Sequence, residues 1–230
     1  MPTAIITGAS SGIGQHTARK LYADGYDLVL NARSLDGLKE TVKDFSSQRY
    51  VLVAGDISDE LVNNQLANEA IKNFSSIDVV IANAGYGVFK SVEELSREEF
   101  LGMLKTNTLG VFLTIQACLP TLRKQDSGQI IAISSMAGIN HFATGSGYCA
   151  SKWAVQGFMG SLKQELRDSH IKSACILPGS VDTPFFSRSE VELNQKRHLE
   201  VEAIVMHIHN VVNQPASSDL DEVVVRPAKK

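Results

Sequence analysis

Short runs of apolar residues alternate with longer amphipathic stretches along the 230 residues of the chain. Each apolar run has the length and β-branched content of a buried strand, and each stretch between two runs has helical length. The predicted strands are Ala4–Thr7, Leu28–Ala32, Val51–Ala54, Val79–Ala82, Ile130–Ser134, Ala174–Leu177 and Glu222–Val225. Buried strands that alternate with helices predict an α/β fold, a doubly wound Rossmann fold with a parallel sheet of about seven strands.

No linker, internal repeat or low-complexity tract interrupts this alternation, so residues 1–230 are predicted to form a single domain. Ser96 and Glu99 have the spacing of a capping box, which predicts the start of a long helix. The apolar pattern carries this helix to about Lys124, and Pro120 can bend it near its end.

A glycine-rich turn follows the first predicted strand, in the segment Thr7–Gly14. Gly8, Gly12 and Gly14 allow a tight turn, a close approach of the backbone to a phosphate, and close packing of the next helix on the strand. The N-terminus of that helix offers unpaired N–H groups and a positive dipole to a pyrophosphate. A glycine cluster alone is often only a turn, so the prediction of a dinucleotide site depends on the flanking strand and helix and on the other motifs.

Tyr148 and Lys152 are four residues apart in the segment YCASK. On a helix this spacing places the phenol and the ammonium group on one face, one turn apart. A tyrosine with a pKa near ~10 is a poor base at neutral pH, and a nearby cation favours the phenolate. The pair therefore predicts a proton-transfer site in which Lys152 lowers the pKa of Tyr148, and an oxidised nicotinamide would add a second positive charge.

The order and separation of seven motifs resemble those of the short-chain dehydrogenases/reductases over nearly the whole chain. The motifs are TGASSGIG (Thr7–Gly14), GDIS (Gly55–Ser58), NAG (Asn83–Gly85), Asn107, ISS with Ser134 and Ser135, YCASK (Tyr148–Lys152) and PGSVDT (Pro178–Thr183). The resemblance implies an oxidoreductase that transfers a hydride between a nicotinamide cofactor and a carbonyl compound or secondary alcohol. The ending DLDEVVVRPAKK is most similar to the carbonyl and 3-hydroxy-acid dehydrogenase branch.

The same resemblance implies a role for four catalytic residues. Ser135, thirteen residues before Tyr148, polarises the substrate carbonyl, and Tyr148 is the general acid or base. Lys152 also binds the nicotinamide ribose. Asn107 maintains a water-linked proton path to Lys152 through its backbone.

The resemblance also implies a set of cofactor-binding residues. They are Gly8, Ser10, Gly12, Ile13, Gly14, Arg33, Asp56, Ile57, Asn83, Ala84, Gly85, Tyr148, Lys152, Pro178, Gly179, Val181 and Thr183. Asp56 and Ile57 match the residues that hold and flank the adenine. Thr183 matches the residue that orients the nicotinamide carboxamide and so the reacting face.

The end of the second predicted strand, LVLNARS, bears on the choice between NAD(H) and NADP(H). NAD-selective relatives usually carry an acidic residue at the position of Ala32. Arg33 follows, and its guanidinium group can bind a 2′-phosphate through two charge-assisted hydrogen bonds. NADP(H) is therefore predicted to be preferred over NAD(H). The alternative is that Arg33 is a solvated surface arginine.

The composition limits the classes of partner. The chain is 43% hydrophobic with a net charge of −3, so it lacks the basic excess of a nucleic-acid binder, and no run of about 18 apolar residues predicts a membrane span. A cytoplasmic location with Cys118, Cys149 and Cys175 as reduced thiols is expected. No metal site is predicted, because His207 and His209 are two residues apart on a predicted helix and point in different directions.

Residues 184–199 lie where the family has its substrate loop, and the shortness of this segment predicts a small lid over a small-molecule carbonyl or alcohol. The predicted pocket wall is apolar, with one cation as a candidate partner for a substrate carboxylate. The alternative is that these residues only pack against the rest of the protein. These residues are Tyr86, Met136, Phe142, Phe185 and Phe186 for the wall and Arg188 for the carboxylate.

The sequence leaves two alternative functions open and also predicts an oligomer. The fold can serve as a dinucleotide-binding regulator or scaffold, although an intact Ser-Tyr-Lys set favours an enzyme. A 3-ketoacyl-thioester reductase is the alternative enzyme, and the C-terminal segment disfavours it. Because the helices after Asn107 and Tyr148 carry apolar residues beyond one stripe, and the family pairs them across a two-fold axis, a homodimer or homotetramer is expected.

Overall fold

Seven parallel strands form one sheet in the computed structural model of the protein, which describes residues 1–185 and 198–228. The strands are β1 (Thr3–Thr7), β2 (Asp27–Ala32), β3 (Tyr50–Ala54), β4 (Val79–Ala82), β5 (Gly128–Ile133), β6 (Ile171–Pro178) and β7 (Glu222–Val225). Their spatial order is β3-β2-β1-β4-β5-β6-β7, which confirms the predicted Rossmann fold. The order reverses between β1 and β4, and a crevice opens at the carboxyl ends of the strands at this point.

Helices cover both faces of the sheet. They are α1 (Gly12–Ala23), α2 (Leu35–Thr41), α3 (Glu60–Phe74), α4 (Arg97–Leu104), α5 (Gly110–Gln125), α6 (Ser146–Leu166) and α7 (Val201–Val212). Successive strand residues point to opposite faces, so Ile6 belongs to the apolar core under α1, α2 and α7, and Ile5 to the core under α3, α5 and α6. Because both faces are covered, the strands consist almost entirely of apolar residues, which is why their pattern could be recognised.

The predicted strands all exist, and β4 and β7 have the predicted bounds. β1, β2 and β3 each begin one residue earlier than predicted, and the larger differences are in β5 and β6. β5 ends at Ile133 rather than Ser134, although the N–H of Ser134 still donates to the carbonyl of Ile176 at 2.9 Å. β6 begins at Ile171 rather than Ala174. The polar Lys172 is accommodated in this strand because its ammonium group donates to the carbonyls of residues 215, 216 and 218 at 2.9, 3.3 and 2.7 Å.

The long helix predicted from Ser96 to about Lys124 is interrupted. Its capping box is confirmed, since the hydroxyl of Ser96 accepts from the N–H of Glu99 at 3.1 Å and the Glu99 carboxylate accepts from the N–H of Ser96 at 2.9 Å. Between α4 and α5, however, residues Lys105–Leu109 form one π-helical turn. Such turns are frequent at functional sites, and this one contains the buried Asn107.

No helix within residues 1–185 and 198–228 is long and apolar enough to cross a membrane.

Cys118, Cys149 and Cys175 are buried free thiols, as expected. Burial raises the pKa of the Cys118 thiol to about 12, so this side chain is an unreactive part of the core.

Candidate active site

A cleft of about 740 Å³ lies along the carboxyl ends of β1 to β6 and brings together most of the predicted site residues. Those that line it are Gly8, Ser10, Gly12, Ile13, Arg33, Asp56, Ile57, Asn83, Ala84, Gly85, Ser135, Tyr148, Lys152, Pro178, Gly179, Val181 and Thr183. Gly14 and Asn107 lie behind this lining. One continuous cleft therefore joins residues from the first and the last quarter of the chain.

The glycine-rich turn brings the start of α1 against the end of β4. Gly8 and Gly12 have φ of 66° and 52°, a conformation that side chains disfavour. A Cβ atom at Gly14 would lie 2.4 Å from the carbonyl oxygen of Gly8, so only glycine fits there. The hydroxyl of Thr7 accepts from the N–H groups of Asn83 and Ala84, both at 3.0 Å. Gly12 and Ile13, the first residues of α1, line the cleft, where the N–H groups of a helix N-terminus can bind an anion.

The ends of β2 and β3 form one end of the cleft. The N–H and hydroxyl of Ser58 donate to the Asp56 carboxylate at 2.9 and 2.8 Å. The hydrogen bond from that N–H is the main cause of a lowered pKa of Asp56, and the charge of nearby Arg33 lowers the pKa further. Sequence reasoning missed Asn31, whose side-chain amide donates to the carbonyls of Val53 and Gly55 at 3.0 and 3.2 Å and fixes the two strand ends together.

Tyr148 lies in the first turn of α6 and is 8% exposed. Burial raises the pKa of its phenol to about 12, and a side-chain hydrogen bond with Ser135 opposes this increase. The expectation that Lys152 lowers the pKa of Tyr148 in the protein alone is therefore wrong. Desolvation, which sequence spacing cannot measure, disfavours the charged phenolate more strongly than its neighbours stabilise it.

Lys152 is one turn further along α6 and is 4% exposed. Its ammonium group donates to the carbonyl of Ile133 at 2.8 Å and lies 5.9 Å from the centre of the Tyr148 ring. Burial lowers the pKa of Lys152 to about 8. The two side chains share one helix face as predicted, but the ammonium group is directed to the end of β5 rather than to the phenol.

Asn107 is fully buried behind the cleft and connects the loop after β4 to α6. Its side-chain amide donates to the hydroxyl of Ser151 at 2.9 Å, and that hydroxyl donates to the carbonyl of Tyr148 at 2.7 Å. Gly85 lies between Asn107 and Lys152, because a Cβ atom there would be 3.1 Å from Oδ1 of Asn107 and 3.6 Å from Nζ of Lys152. Sequence reasoning missed Ser151, although it occurs within the YCASK motif.

The loop after β6 closes the other end of the cleft. Thr183 packs on the glycine-rich turn, where a Cβ atom at Gly12 would lie 3.3 Å from Cβ of Thr183. Val181 forms a parallel bridge with Leu199. Ser180 also lines the cleft, and its hydroxyl is buried with no hydrogen-bond partner among the described residues. Together with Thr183, this end of the cleft offers polar groups that fit the amide end of a dinucleotide.

Beyond Tyr148 the cleft has an apolar wall. Tyr86, Met136, Phe142 and Phe185 line it as predicted, together with Phe89, which the prediction did not include. Phe186 and Arg188 lie outside the described residues. In the part of the chain that the structure describes, no three His, Cys, Asp or Glu side chains are grouped as metal ligands.

Known proteins resemble this chain over almost all of its length. A family model for the short chain dehydrogenases matches residues 2–194. An uncharacterized oxidoreductase of Staphylococcus saprophyticus is 34% identical over 235 residues, which cover 98% of this chain and 96% of the relative.

Two solved structures share the fold at similar identity. The X-ray structure of an alcohol dehydrogenase from the archaeon Thermococcus sibiricus, complexed with 5-hydroxy-NADP, has a TM-score of 0.90 and 32% identity over 99% of this chain and 97% of its own. A metagenomic short-chain oxidoreductase in complex with NADP has a TM-score of 0.84 and 30% identity, covering 100% of this chain and 98% of its own.

Proposed function

Because the chain belongs to the short chain dehydrogenase family, we propose that it is an NADP-dependent oxidoreductase that interconverts a carbonyl compound and a secondary alcohol. The observation that carries this proposal is the grouping of Ser135, Tyr148 and Lys152 in the cleft that also contains the glycine-rich turn. A proton donor beside a dinucleotide site is what carbonyl reduction requires, whereas a regulator or scaffold has no use for it.

The residues of the cleft fit a dinucleotide. The turn at Gly8 and Gly12 and the N-terminus of α1 would hold the pyrophosphate, and Asp56 with Ile57 would hold and flank the adenine. At the other end Thr183, which lines the cleft, would bind the nicotinamide carboxamide. When bound, the nicotinamide supplies or accepts the hydride.

The chain's own residues handle the proton. In reduction Tyr148 donates its phenolic proton to the substrate oxygen, and in oxidation it takes the proton back. Because its pKa is raised to about 12, the phenol holds its proton at neutral pH, which suits the donor role. Ser135 hydrogen-bonds to the phenol and polarises the same substrate oxygen. Lys152 binds the nicotinamide ribose beside them, and Asn107 positions the helix from behind.

Preference for NADP(H) is proposed from the end of β2. No carboxylate stands at Ala32 to repel a 2′-phosphate, and the exposed Arg33 lines the cleft beside Asp56. The two structural neighbours above were solved with 5-hydroxy-NADP and NADP, which supports the same preference here.

A homodimer or homotetramer in the cytoplasm is proposed for the assembled enzyme, with residues 1–230 as one domain. Leu109, Phe112 and Trp153 are 40%, 37% and 43% exposed at the start of α5 and on α6, and such apolar surface favours burial against a second copy. The buried free thiols are consistent with a reducing compartment.

The proposed reaction is tested by following NADPH absorbance with a panel of aldehydes, ketones, 3-keto acids and acyl thioesters. Turnover of at least one simple carbonyl compound is expected, together with oxidation of the matching alcohol by NADP+. If NADPH binds tightly but no member of the panel is reduced, the regulator hypothesis replaces the enzyme. If only acyl thioesters react, the thioester reductase is correct.

A further inference from the structure

Four aromatic rings form a continuous row at the substrate end of the cleft, from Phe142 through Phe89 and Tyr148 to Phe185. Their ring centres are 5.8, 5.4 and 5.7 Å apart in that order, and adjacent planes are tilted by 43°, 70° and 57°. These are the edge-to-face and tilted arrangements that aromatic pairs prefer. The ring of Tyr148, whose phenol is proposed to meet the substrate oxygen, is thus in contact with both Phe89 and Phe185.

Gly87 makes room for this row. A Cβ atom there would lie 2.7 Å from Cζ of Phe89 and 3.2 Å from Cζ of Phe185, so the absent side chain lets both rings pack over the loop after β4. Phe89 and Phe185 also pack on the small apolar cluster that contains Met103 and Tyr148. Phe142, at the outer end of the row, is 48% exposed. Phe89, Tyr148 and Phe185 are therefore held by packing, whereas the ring of Phe142 is exposed and can contact a ligand.

Charge is scarce at this end of the cleft. Among the described residues that line it, Lys152 is the one side chain that carries charge, and its ammonium group is already bonded to the carbonyl of Ile133. Asn140 and Thr144 supply neutral polar groups. Arg33 and Asp56 follow β2 and β3, at the far end of the cleft. Among residues 1–185 and 198–228, a substrate carboxylate near Tyr148 would find no dedicated cation to offset its lost hydration, which is costly.

We propose that the enzyme selects neutral carbonyl compounds in which a flat apolar group, such as an aryl ring, is attached beside the carbonyl. The ring of such a substrate packs against Phe89 and Phe142 from the cleft, while its oxygen meets Tyr148. This assignment rests on the proposed function, because the row is aligned to a substrate only if Tyr148 reacts with it. Phe89 and Phe142 are then the residues that determine specificity.

One test of the charge requirement compares ethyl benzoylformate with benzoylformate, and the ratio of their rates of reduction by borohydride measures their difference in intrinsic reactivity. With NADPH, the ester-to-carboxylate ratio of kcat/KM is expected to exceed the borohydride ratio by at least about tenfold, since the carboxylate must be desolvated at the site. A higher kcat/KM for the carboxylate would overturn the proposal, and would point to a cation such as Arg188 as its partner.

The aromatic requirement is tested with Phe142→Leu, a half-exposed position that should fold normally, and with Phe89→Leu. The quantity measured is the ratio of kcat/KM for acetophenone to kcat/KM for methyl ethyl ketone. The intrinsic reactivity of the two ketones is the same for every enzyme, so it cancels when the ratio of a variant is compared with that of the wild type. Each substitution should lower this ratio by roughly three- to tenfold, the value of one aromatic contact. Phe45→Leu is the matched control, because Phe45 stacks on Tyr22 with ring centres 3.9 Å apart and does not line the cleft.

The outcomes separate the two proposals. If both variants lose activity equally on both ketones, the rings serve only to support Tyr148 and the specificity inference is wrong. If the wild type reduces no ketone at all while binding NADPH, the proposed function itself fails and the inference falls with it. A lowered ratio in both variants and an unchanged ratio in the control would support the inference.

Discussion

The side chain of Asn107 is hydrogen-bonded to both backbone groups of Tyr86. Its Oδ1 accepts from the N–H and its Nδ2 donates to the carbonyl, each at 2.9 Å. The same Nδ2 also donates to Ser151, which bonds to the carbonyl of Tyr148. Asn107 therefore connects the loop after β4 to the helix that carries Tyr148, and it does so from a fully buried π-helical turn.

Asn107→Ala should reduce the free energy of unfolding by about 2–4 kcal/mol, because it removes two hydrogen bonds to partly buried backbone groups of Tyr86 and one to Ser151. Urea denaturation of the protein alone measures this. Asn73→Ala is the control: Asn73 bonds within the exposed face of α3, and its loss should change stability by less than about 0.5 kcal/mol. Equal effects of the two substitutions would show that the connection contributes no stability.

Arg33→Ala should weaken NADPH binding by about 1.5–3 kcal/mol, since a charged hydrogen bond to the 2′-phosphate is lost, and should leave NADH binding nearly unchanged. Fluorescence titration of both cofactors gives the two dissociation constants. Lys39→Ala, which removes an exposed cation from α2, controls for general charge effects. Equal kcat/KM of the wild type for NADPH and NADH would refute the assignment of Arg33.

The assembly is predicted to be a dimer or tetramer at micromolar concentration. Phe112→Asp should shift the mass measured by light scattering toward that of the 25.0 kDa monomer, because it places a charge on the apolar surface of α5. Leu61→Asp, on the exposed side of α3, should leave the mass unchanged. A monomeric wild type would contradict the prediction.

The sheet could be predicted because its strands are buried on both faces and so stand out as apolar runs. The start of β6 could not, since Lys172 interrupts the apolar run and its ammonium group is bonded by the carbonyls of residues 215, 216 and 218, far along the chain. The capping box at Ser96 was recognisable from local spacing. The π-helical turn at Lys105–Leu109 was not, because nothing in the local composition distinguishes it from a continuous helix.

Most of the candidate site followed from motif order, which places residues but does not describe their surroundings. The pKa of Tyr148 shows the difference: four-residue spacing predicted stabilisation of the phenolate, whereas burial by residues from several elements raises the pKa instead. Ser151 and Asn31 were missed for a similar reason. Both are buried polar residues whose partners, Asn107 and the end of β3, lie more than 20 positions away.

Burial of Lys152 makes stability depend on pH. Its pKa is lowered from 10.5 to about 8 in the folded protein, so below pH 8 the fold must hold a desolvated ammonium group. Between pH 8 and 10.5 the unfolded chain binds a proton that the folded chain does not, and stability therefore rises with pH in this window. At pH 7 this lowers the free energy of unfolding by about 3 kcal/mol relative to an unshifted lysine.

Lys152→Met should remove this dependence. Without cofactor, the stability of the variant relative to the wild type should decrease by about 2–3 kcal/mol from pH 7 to pH 10. The wild type becomes more stable over this range because Lys152 loses its buried charge, whereas the variant has no such charge at either pH. Urea denaturation at the two pH values gives the difference. Lys39→Met, at an exposed lysine, should show no such change. A difference that stays constant with pH would mean that Lys152 is not desolvated in the folded protein.

The proposed proton transfer is tested most directly by Tyr148→Phe, which removes one oxygen and keeps a ring that can pack against Phe89 and Phe185. The measurement is kcat for any accepted ketone, set beside the dissociation constant for NADPH. We predict that kcat falls by ~10²–10⁴-fold while NADPH affinity changes by less than about threefold. Tyr50→Phe in β3 is the control and should retain wild-type values for both. Near wild-type turnover in Tyr148→Phe would contradict the account.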